Sequence, residues 1–466
     1  MLFINREKIQ GGTIMKKNYL KKFALLTLST IMATSMLAGC GSSTATKTDS
    51  GSKAATTGAA KAPADYKGTI KIWSWNTELK DLGIIAKFNK VYPNLKVQLV
   101  SIPNDNSAYV TKISSTMSAG VGGPDVFLAE SAYVKKFTNL DFYEDLTKAP
   151  YNAETLTSKM VPYTVELGRN EGDKSIRALT WQATPGGFFY KRSIAKQYLG
   201  TDDPAAIQKM MTTTEDFIKL GETLKTKSNG SVKLLAGYNE LVNVAIGSRT
   251  KGWVKDGKLV IDTKMMDYID QATKIRKEGL DAKFTQWTPA WTGSMSDKTT
   301  FGYMLPTWGL PFTLGINAPK ETGNYAFVKA PTPYYWGGTW LGVSSKSTQK
   351  DNAWQFVKYI TTNTDFMEAQ AKDKGDFMNN VDVQAKLSST DAGNNAYLKG
   401  ENVYKVYTEL VKGIDGKLFT QYDDTINNAW NKQIDLFIIG KTASKEDFLK
   451  KFKADVVNAY PDIKVD

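Results

Sequence analysis

The sequence predicts an α/β fold for the chain from Tyr66 onward. Residues 69–75 (Thr-Ile-Lys-Ile-Trp-Ser-Trp) and 95–102 (Leu-Lys-Val-Gln-Leu-Val-Ser-Ile) alternate in side-chain character, which is typical of β-strands. Between them, residues 78–90 place apolar side chains at helical spacing. A strand, a helix and a second strand in this order indicate the start of a parallel sheet.

The next segments continue this pattern. We expect a helix over residues 107–119, after which the glycines and proline of residues 122–124 turn the chain into an apolar strand over 126–129. Ligands of open parallel sheets bind at the carboxyl ends of the strands. In this chain those ends are Trp75–Asn76, Ile102–Asn104 and Glu130–Ser131.

Helices are predicted later in the chain. Thr213, with Asp216 three residues on, forms a variant of the helix capping box. Residues 351–360, 424–438 and 445–460 are amphipathic. We expect the apolar stripes of the two C-terminal helices to pack in the core rather than around a cofactor; they comprise Ile426, Trp430, Ile434 and Phe437, and Phe448, Phe452 and Val456.

The N-terminus has the pattern of an export signal. Lysines between residues 16 and 22 precede an apolar run over 23–38. Residues 37–40, Leu-Ala-Gly-Cys, resemble the lipobox of bacterial lipoproteins, which implies that Cys40 is lipidated and becomes the first mature residue. We predict a signal peptide over residues 1–39, with Met15 as the true start. A membrane-spanning helix is the alternative, but the run is short and contains several Thr and Ser.

Residues 40–65 contain almost no large apolar side chain, so they cannot bury enough surface to offset the entropy of ordering. We expect a flexible tether that holds the globular part at the outer face of the bacterial cytoplasmic membrane.

Composition excludes several kinds of site. The chain contains no histidine and one cysteine, which removes the usual nucleophile pairs, an intramolecular disulfide and thiolate metal clusters. We predict no metal site and no cofactor. Without residues 1–39 the chain has 54 basic and 46 acidic side chains, a net charge of +8 with no basic stripe, so nucleic acid is not an expected partner.

Several segments, in order along the chain, resemble extracellular solute-binding proteins of family 1, the carbohydrate-binding group of ABC importers that includes maltose-binding proteins. They are "GTIKIWSWN" at 68–76, "GVGGPDVFLAES" at 120–131, "WGGTWLGVSSKSTQKDNAWQFVKYITT" at 336–362 and "IIGKTASKEDFLKKF" at 438–452. Two other segments depart from the family pattern: Lys191-Arg192 replaces Asn-Lys, and Thr214 replaces a tryptophan.

The resemblance implies a two-lobed periplasmic-binding-protein-like fold of type II, with a hinge and a ligand cleft between the lobes. By analogy, lobe I takes residues 66–178 and 338–400, and lobe II takes 179–337 and 401–466. It also implies a non-enzymatic, monomeric receptor that binds an oligosaccharide, closes around it and delivers it to the permease subunits of the importer.

Carbohydrate sites combine aromatic rings, which pack on the C–H faces of sugars, with amides and carboxylates that pair the hydroxyls. The 11 tryptophans and 22 tyrosines are an ample supply of rings. Strand ends make Trp75, Asn76 and Glu130 candidates, although Trp75 fits the core equally well and Glu130 fits an exposed surface equally well.

The resemblance adds further candidates. Trp181 and Gln182 lie at the first expected hinge crossing, Trp308 corresponds to a tryptophan that stacks on sugar, and Gly337-Gly338 corresponds to the lobe boundary beside the ligand. The complete candidate set is Trp75, Asn76, Glu130, Trp181, Gln182, Trp308, Trp336, Trp340, Asp376 and Gln421. The segment 286–291, Gln-Trp-Thr-Pro-Ala-Trp, stays undecided.

Two other functions fit parts of the pattern. A secreted glycoside hydrolase also needs rings in a cleft, together with two carboxylates at a defined separation. An adhesin that binds carbohydrate without closing is the second. For the ligand, the abundance of rings favours a neutral oligosaccharide, and a uronic-acid-containing one stays open.

Overall fold

The computed structural model describes residues 61–465. The signal peptide, Met15, Cys40 and the tether up to residue 60 lie outside the described residues. The strands are β1 (Gly68–Ser74), β2 (Leu95–Ser101), β3 (Val126–Glu130), β4 (Leu179–Thr180), β5 (Pro185–Lys191), β6 (Lys233–Leu235), β7 (Val254–Lys255), β8 (Lys258–Leu259), β9 (Thr300–Pro306), β10 (Tyr325–Tyr335), β11 (Thr339–Val343), β12 (Asn394–Asn395) and β13 (Glu401–Asn402).

Helices connect and cover these strands. They are α1 (Glu78–Asp81), α2 (Ile84–Val91), α3 (Ala108–Ala119), α4 (Val134–Thr138), α5 (Pro162–Leu167), α6 (Arg192–Leu199), α7 (Pro204–Lys209), α8 (Thr214–Lys227), α9 (Val242–Gly247), α10 (Thr263–Lys277), α11 (Pro289–Ser294), α12 (Gly315–Asn317), α13 (Lys350–Thr362), α14 (Thr364–Lys374), α15 (Val381–Ser389), α16 (Val403–Leu410), α17 (Asp423–Ile438) and α18 (Lys445–Ala459).

A five-stranded sheet forms the first half of the fold, in the order β2-β1-β3-β11-β4. Strand β1 pairs in parallel with β2 and with β3, which confirms the parallel start predicted from the sequence. Strand β11 closes the order by pairing antiparallel with β3 and β4. Strands β1 and β3 are adjacent and parallel, so their carboxyl ends lie side by side at the same end of this sheet.

A second, four-stranded sheet has the order β10-β5-β9-β6. Its strands alternate between two buried clusters: Phe189 and Phe327 pack in the core that continues from the first sheet, whereas Phe188 and Phe301 pack on the opposite face. The C-terminal helices contribute to the same cluster as that opposite face, and Trp430 and Phe452 are fully buried in it. Their predicted assignment to the core is confirmed.

The chain crosses between the two sheets at short segments. Residues 181–184 lead from β4 to β5, and residues 336–338 lead from β10 back to β11. Because both crossings are short and join sheets with their own buried faces, they bring the edges of the two sheets together.

One helix predicted from the sequence needs correction. The helix predicted over 78–90 is divided by Gly83, which adopts a left-handed φ of 72°, into α1 and α2. The break rotates the buried face of α2, so that Ile84 and Phe88 are buried and Ala86 is exposed. Within residues 61–465, no helix has the length and apolar character needed to cross a bilayer.

Helix α8 provides a test of the predicted cap. The hydroxyl oxygen of Thr213 accepts a hydrogen bond of 3.0 Å from the backbone N–H of Asp216. We expect Thr213→Ala to lower the free energy of unfolding by about 1 kcal/mol, because that N–H loses its partner. Denaturant unfolding measures the change. Thr214→Ala, at the next residue, is the control, and an equal loss in both variants would contradict the cap.

Candidate functional site

The two crossings are joined by hydrogen bonds. The hydroxyl of Thr184 donates to the carbonyl of Gly337 at 2.8 Å, and the backbone N–H of Trp336 donates to the carbonyl of Thr184 at 3.2 Å. The N–H of Ser131 donates to the carbonyl of Gly338 at 3.2 Å. The end of β3 is thus tied to the crossing, and both sheets meet at one place.

A cluster of three tryptophans lies beside this crossing. The centroid of the Trp308 ring is 5.0 Å from that of Trp336 and 5.9 Å from that of Trp287, and Trp287 lies 5.7 Å from Trp336. Trp308 also donates its indole N–H to the carbonyl of Trp336 at 2.9 Å. Trp308 and Trp336 are half-buried and Trp287 is exposed, so the cluster presents ring surface to solvent. We call these three residues the tryptophan cluster.

Glycine at position 337 makes this cluster sterically possible. Its φ is 72°, and a Cβ atom there would lie 2.8 Å from the indole nitrogen of Trp308. Any side chain would have to displace the Trp308 ring.

Polar side chains converge from the first sheet. The hydroxyl of Thr339 donates to Oε1 of Glu78 at 2.7 Å, and the amide of Gln182 donates to the same hydroxyl oxygen at 3.4 Å. Thr339 is also the β-ladder partner of Glu130. Asn76 is buried, and its Oδ1 accepts from the backbone N–H of Glu78 at 3.2 Å. Sugar hydroxyls can both donate to and accept from such a set.

Asp376 is a buried carboxyl in the loop after α14. Burial, and secondarily the charge of Glu78, raises its pKa to about 7. Oδ2 of Asp376 and Nε1 of Trp181 have no hydrogen-bond partner among the described residues. A buried polar group without a partner is costly, so this pair has unused capacity for hydrogen bonding.

Glu130 and Asp424 are two further carboxyls whose charges interact. Glu130 accepts from the Ser131 hydroxyl at 2.7 Å and from the Ala132 N–H at 3.1 Å. Burial raises its pKa, and the charge of Asp424 at the start of α17 raises it further. Burial likewise raises the pKa of Asp424, with Lys136 partly offsetting it. The region therefore concentrates buried carboxyl groups whose charged forms are disfavoured.

The structure brings together many of the predicted site residues. Gln182 donates to the Thr339 hydroxyl, and Glu130 pairs with Thr339 in the sheet. Asn76 accepts from the backbone of Glu78. Trp308 and Trp336 form one ring pair. Trp75 is half-buried after β1 and packs edge-on against the rings of Tyr109 and Tyr133, at centroid distances of 5.9 and 6.0 Å.

Three predicted residues occupy other environments. Trp340 is fully buried inside the first sheet and donates its indole N–H to the carbonyl of Thr164 at 2.8 Å, so its ring has no surface free for a ligand. Trp181 is also fully buried and takes part only through its contact with Asp376. Gln421 is half-buried before α17, and its backbone faces the carboxyl of Glu171.

Sequence reasoning missed three residues at this place. Glu78 lies four residues after the end of β1, and Thr339 directly follows the Gly337-Gly338 pair. Both residues are therefore close to sequence features already identified above. Trp287 lay in the undecided segment 286–291. Its left-handed φ of 69° is a structural feature that the sequence does not reveal.

Two sheets, joined by short crossings with rings and polar groups at the junction, define a two-lobed binding protein. The family model described as bacterial extracellular solute-binding protein matches residues 83–396, about two-thirds of the chain, and the chain belongs to that family. The resemblance predicted from the sequence is confirmed.

Solved structures share the fold at low sequence identity. An extracellular solute-binding protein of family 1 superposes with a TM-score of 0.71 at 18% identity, covering 83% of this chain and 99% of its own. An ABC-transporter-associated binding protein of B. animalis subsp. lactis, in complex with β-1,6-galactobiose, gives 0.66 at 19% identity, with 84% and 97% covered. The galacto-N-biose/lacto-N-biose I-binding protein of Bifidobacterium longum, in complex with lacto-N-biose, gives 0.67 at 16%, with 86% and 99% covered. These likenesses confirm the predicted two-lobed α/β fold.

The pKa of Asp376 predicts a dependence of stability on pH. Between about pH 4 and pH 7 the folded protein keeps a proton on this carboxyl that the unfolded chain has lost, so the free energy of unfolding falls as pH rises through that range. Asp376→Asn mimics the protonated form. We expect it to match the parent protein near pH 4 and to exceed it above pH 7 by up to about 4 kcal/mol.

Denaturant unfolding at several pH values between 4 and 8.5 measures this difference. Asp267→Asn, which changes an exposed carboxylate, is the matched control. Parallel stability curves for Asp376→Asn and the parent protein would show that the carboxyl is ionised at all of these pH values.

Proposed function

We propose that this chain is the sugar-binding receptor of an ABC importer, and that it binds a neutral oligosaccharide at the junction of its two sheets. The observation that carries the proposal is the placement of the tryptophan cluster beside the polar group of Asn76, Glu78, Gln182 and Thr339. The rings can pack on the apolar faces of a sugar, and the amides, carboxylates and hydroxyl can form hydrogen bonds with its hydroxyl groups.

The charge of the site supports a neutral ligand. Glu78, Glu130 and Asp376 lie at or near the junction, and burial raises the pKa of all three. A uronate would add a further negative charge to carboxyls that already repel one another. Sugar hydroxyls, in contrast, can donate hydrogen bonds to these oxygens at no cost in charge.

Delivery requires that the receptor signals its loaded state. In this proposal, residues 66–178 and 338–400 move as one lobe against 179–337 and 401–466. The ligand contacts both lobes only in the closed form, so binding shifts the population toward closure. The closed monomer then docks on the permease while lipid on Cys40 keeps it at the outer membrane face.

A thermal-shift screen tests the proposal, because a ligand that binds the native state raises the apparent melting temperature. The panel contains glucose, maltose and maltotriose; galactose, β-1,6-galactobiose and lacto-N-biose; xylose, xylobiose and xylotriose; and galacturonic acid with its dimer. We expect stabilisation by a neutral member and none by the uronates. Stabilisation by the uronates alone would contradict the charge argument.

The same panel separates the two other functions. Chromatography after prolonged incubation detects cleaved products, and turnover would identify a glycoside hydrolase. Solution scattering with and without the stabilising sugar detects closure, and binding without compaction would favour an adhesin.

Two tryptophans close together in sequence are expected to respond differently to substitution. Trp336→Ala removes a half-buried ring of the tryptophan cluster, so we expect affinity for the stabilising sugar to fall about tenfold or more with a small loss of stability. Trp340→Phe breaks the hydrogen bond to Thr164 inside the core, so we expect it to lower the free energy of unfolding by about 1–3 kcal/mol.

Calorimetric titration and denaturant unfolding measure both quantities for both variants. Trp340→Phe is expected to retain the affinity of the parent protein. If Trp336→Ala instead lost stability with unchanged affinity, its ring would belong to the core.

A further inference from the structure

Glu240 is a buried carboxyl bonded to a tryptophan that contacts the tryptophan cluster. It is 1% exposed and lies in the short turn Tyr238–Leu241. Its Oε1 accepts from the indole N–H of Trp291 at 2.6 Å, and its Oε2 accepts from the backbone N–H of Met304 at 2.9 Å. No lysine or arginine among the described residues pairs with it. This is unusual, because a buried carboxylate is ordinarily paired with a positive charge.

The two hydrogen bonds connect Glu240 to both ring-bearing segments of the second half of the fold. The ring of Trp291 lies 5.0 Å, centroid to centroid, from that of Trp287. Met304 belongs to β9, four residues before Trp308. The rings of Trp287 and Trp308 contact each other, with centroids 5.9 Å apart. One carboxyl therefore holds the supports of both rings at a fixed separation.

The sheet shows why a carboxyl occupies this position. Strand β6 pairs in parallel with β9 only as far as Leu235, opposite Gly302, and the chain then leaves the sheet. The N–H of Met304, two residues further along β9, finds its acceptor in Glu240 instead of in a neighbouring strand. Without that acceptor a buried N–H would have no partner, which is costly.

The geometry of these two bonds suits the ionised carboxyl. A carboxylate accepts through both oxygens, whereas a protonated carboxyl presents its own hydrogen to one of the two N–H donors. Burial opposes ionisation and raises the pKa of Glu240 to about 8, although the bonds from Trp291 and Met304 act in the other direction. Both forms are therefore populated near neutral pH, and they differ in how many supports the carboxyl holds.

The other titratable side chains around Glu240 are tyrosines. Its charge acts on Tyr303 in β9 and on Tyr334 in β10, and burial already raises the pKa of both hydroxyls well above the usual range. Tyr238, in the same turn as Glu240, also has a raised pKa because of burial. These hydroxyls stay neutral between pH 7 and pH 9, so the charge that changes at this place is that of Glu240.

We propose that Glu240 is a positioning residue for the tryptophan cluster, and that sugar binding is coupled to the loss of its proton. The inference rests on the proposed function and adds a regulation of the same site. With the carboxylate, both bonds form, and Trp287 and Trp308 are held ready to pack on a sugar. With the proton, one support is weakened and the rings are less preorganised. By linkage, a sugar that prefers the ionised form releases the proton when it binds.

Calorimetric titration measures both sides of this coupling. The ligands are maltose, β-1,6-galactobiose, lacto-N-biose and xylobiose, at pH 7, 8 and 9. For every sugar that binds, we expect the affinity of the parent protein to rise about fivefold from pH 7 to pH 9, the worth of one weakened hydrogen bond. At pH 8 the measured heat should depend on the ionisation enthalpy of the buffer, because protons are released.

Glu240→Gln separates the proton from the fold. Its amide cannot accept through both positions at any pH, so we expect the affinity of the parent at pH 7 and no rise toward pH 9. Glu401→Gln is the matched control: Glu401 is half-buried and accepts from the backbone N–H of Phe327 in the same sheet, and its pKa of about 6 leaves it ionised throughout. Asp376→Asn removes the other carboxyl that titrates near neutral pH. Both are expected to keep the rise.

Tryptophan emission of the sugar-free protein gives a second readout that needs no variant. We expect a transition with a midpoint near pH 8, absent in Glu240→Gln, because the Trp291 indole is bonded to the titrating carboxyl. An affinity of the parent protein that does not depend on pH, a rise that persists in Glu240→Gln, or an emission without a transition between pH 7 and pH 9 would overturn the inference. If the parent protein binds no sugar of the full panel, the proposed function itself fails, which is a different result from binding that ignores pH.

Discussion

The close approach of the Gly337 backbone to the Trp308 indole is the constraint on which the site depends. Only a residue without Cβ fits there, because the added atom would lie 2.8 Å from the indole nitrogen. The approach lets the Trp308 N–H reach the carbonyl of Trp336 and sets the two rings nearly edge to face, at an angle of 67°. Gly338, with a φ of 100°, then directs the chain into β11. The ring pair, the crossing and strand β11 of the first sheet therefore form one structural unit.

Local patterns predicted several of the regular elements. Alternation located β1 and β2, the apolar run after Gly122 and Gly123 located β3, and the Thr213 cap located the start of α8. The division of the first helix was not predictable from periodicity, since an isolated glycine within a helical pattern is often tolerated. There Gly83 adopts a left-handed φ of 72° and separates α1 from α2.

The candidate site was predictable only in part, because its contacts join residues distant in sequence. Glu78 acquires its role from Thr339, which is 261 positions away, and the Trp340 indole is satisfied by Thr164, 176 positions away. Neither contact leaves a local signal. The Gly-Gly pair marked the crossing between the two sheets, but alternation alone could not decide which of Trp336 and Trp340 is buried in the first sheet.

The two kinds of recognition surface come from different halves of the fold. Trp308 and Trp287 belong to segments around β9 of the second sheet, whereas Asn76, Glu78 and Glu130 follow or end strands of the first. A sugar held by rings alone would be bound loosely and without selectivity for its hydroxyls, and one held by the polar group alone would leave its apolar faces in water. Under the proposed function, full affinity would require both halves at once, and ligand binding would be thermodynamically linked to the approach of the two halves. The buried carboxyls would strengthen this linkage, because sugar hydroxyls that donate to Glu78 and Asp376 would relieve the cost that burial imposes on these two groups.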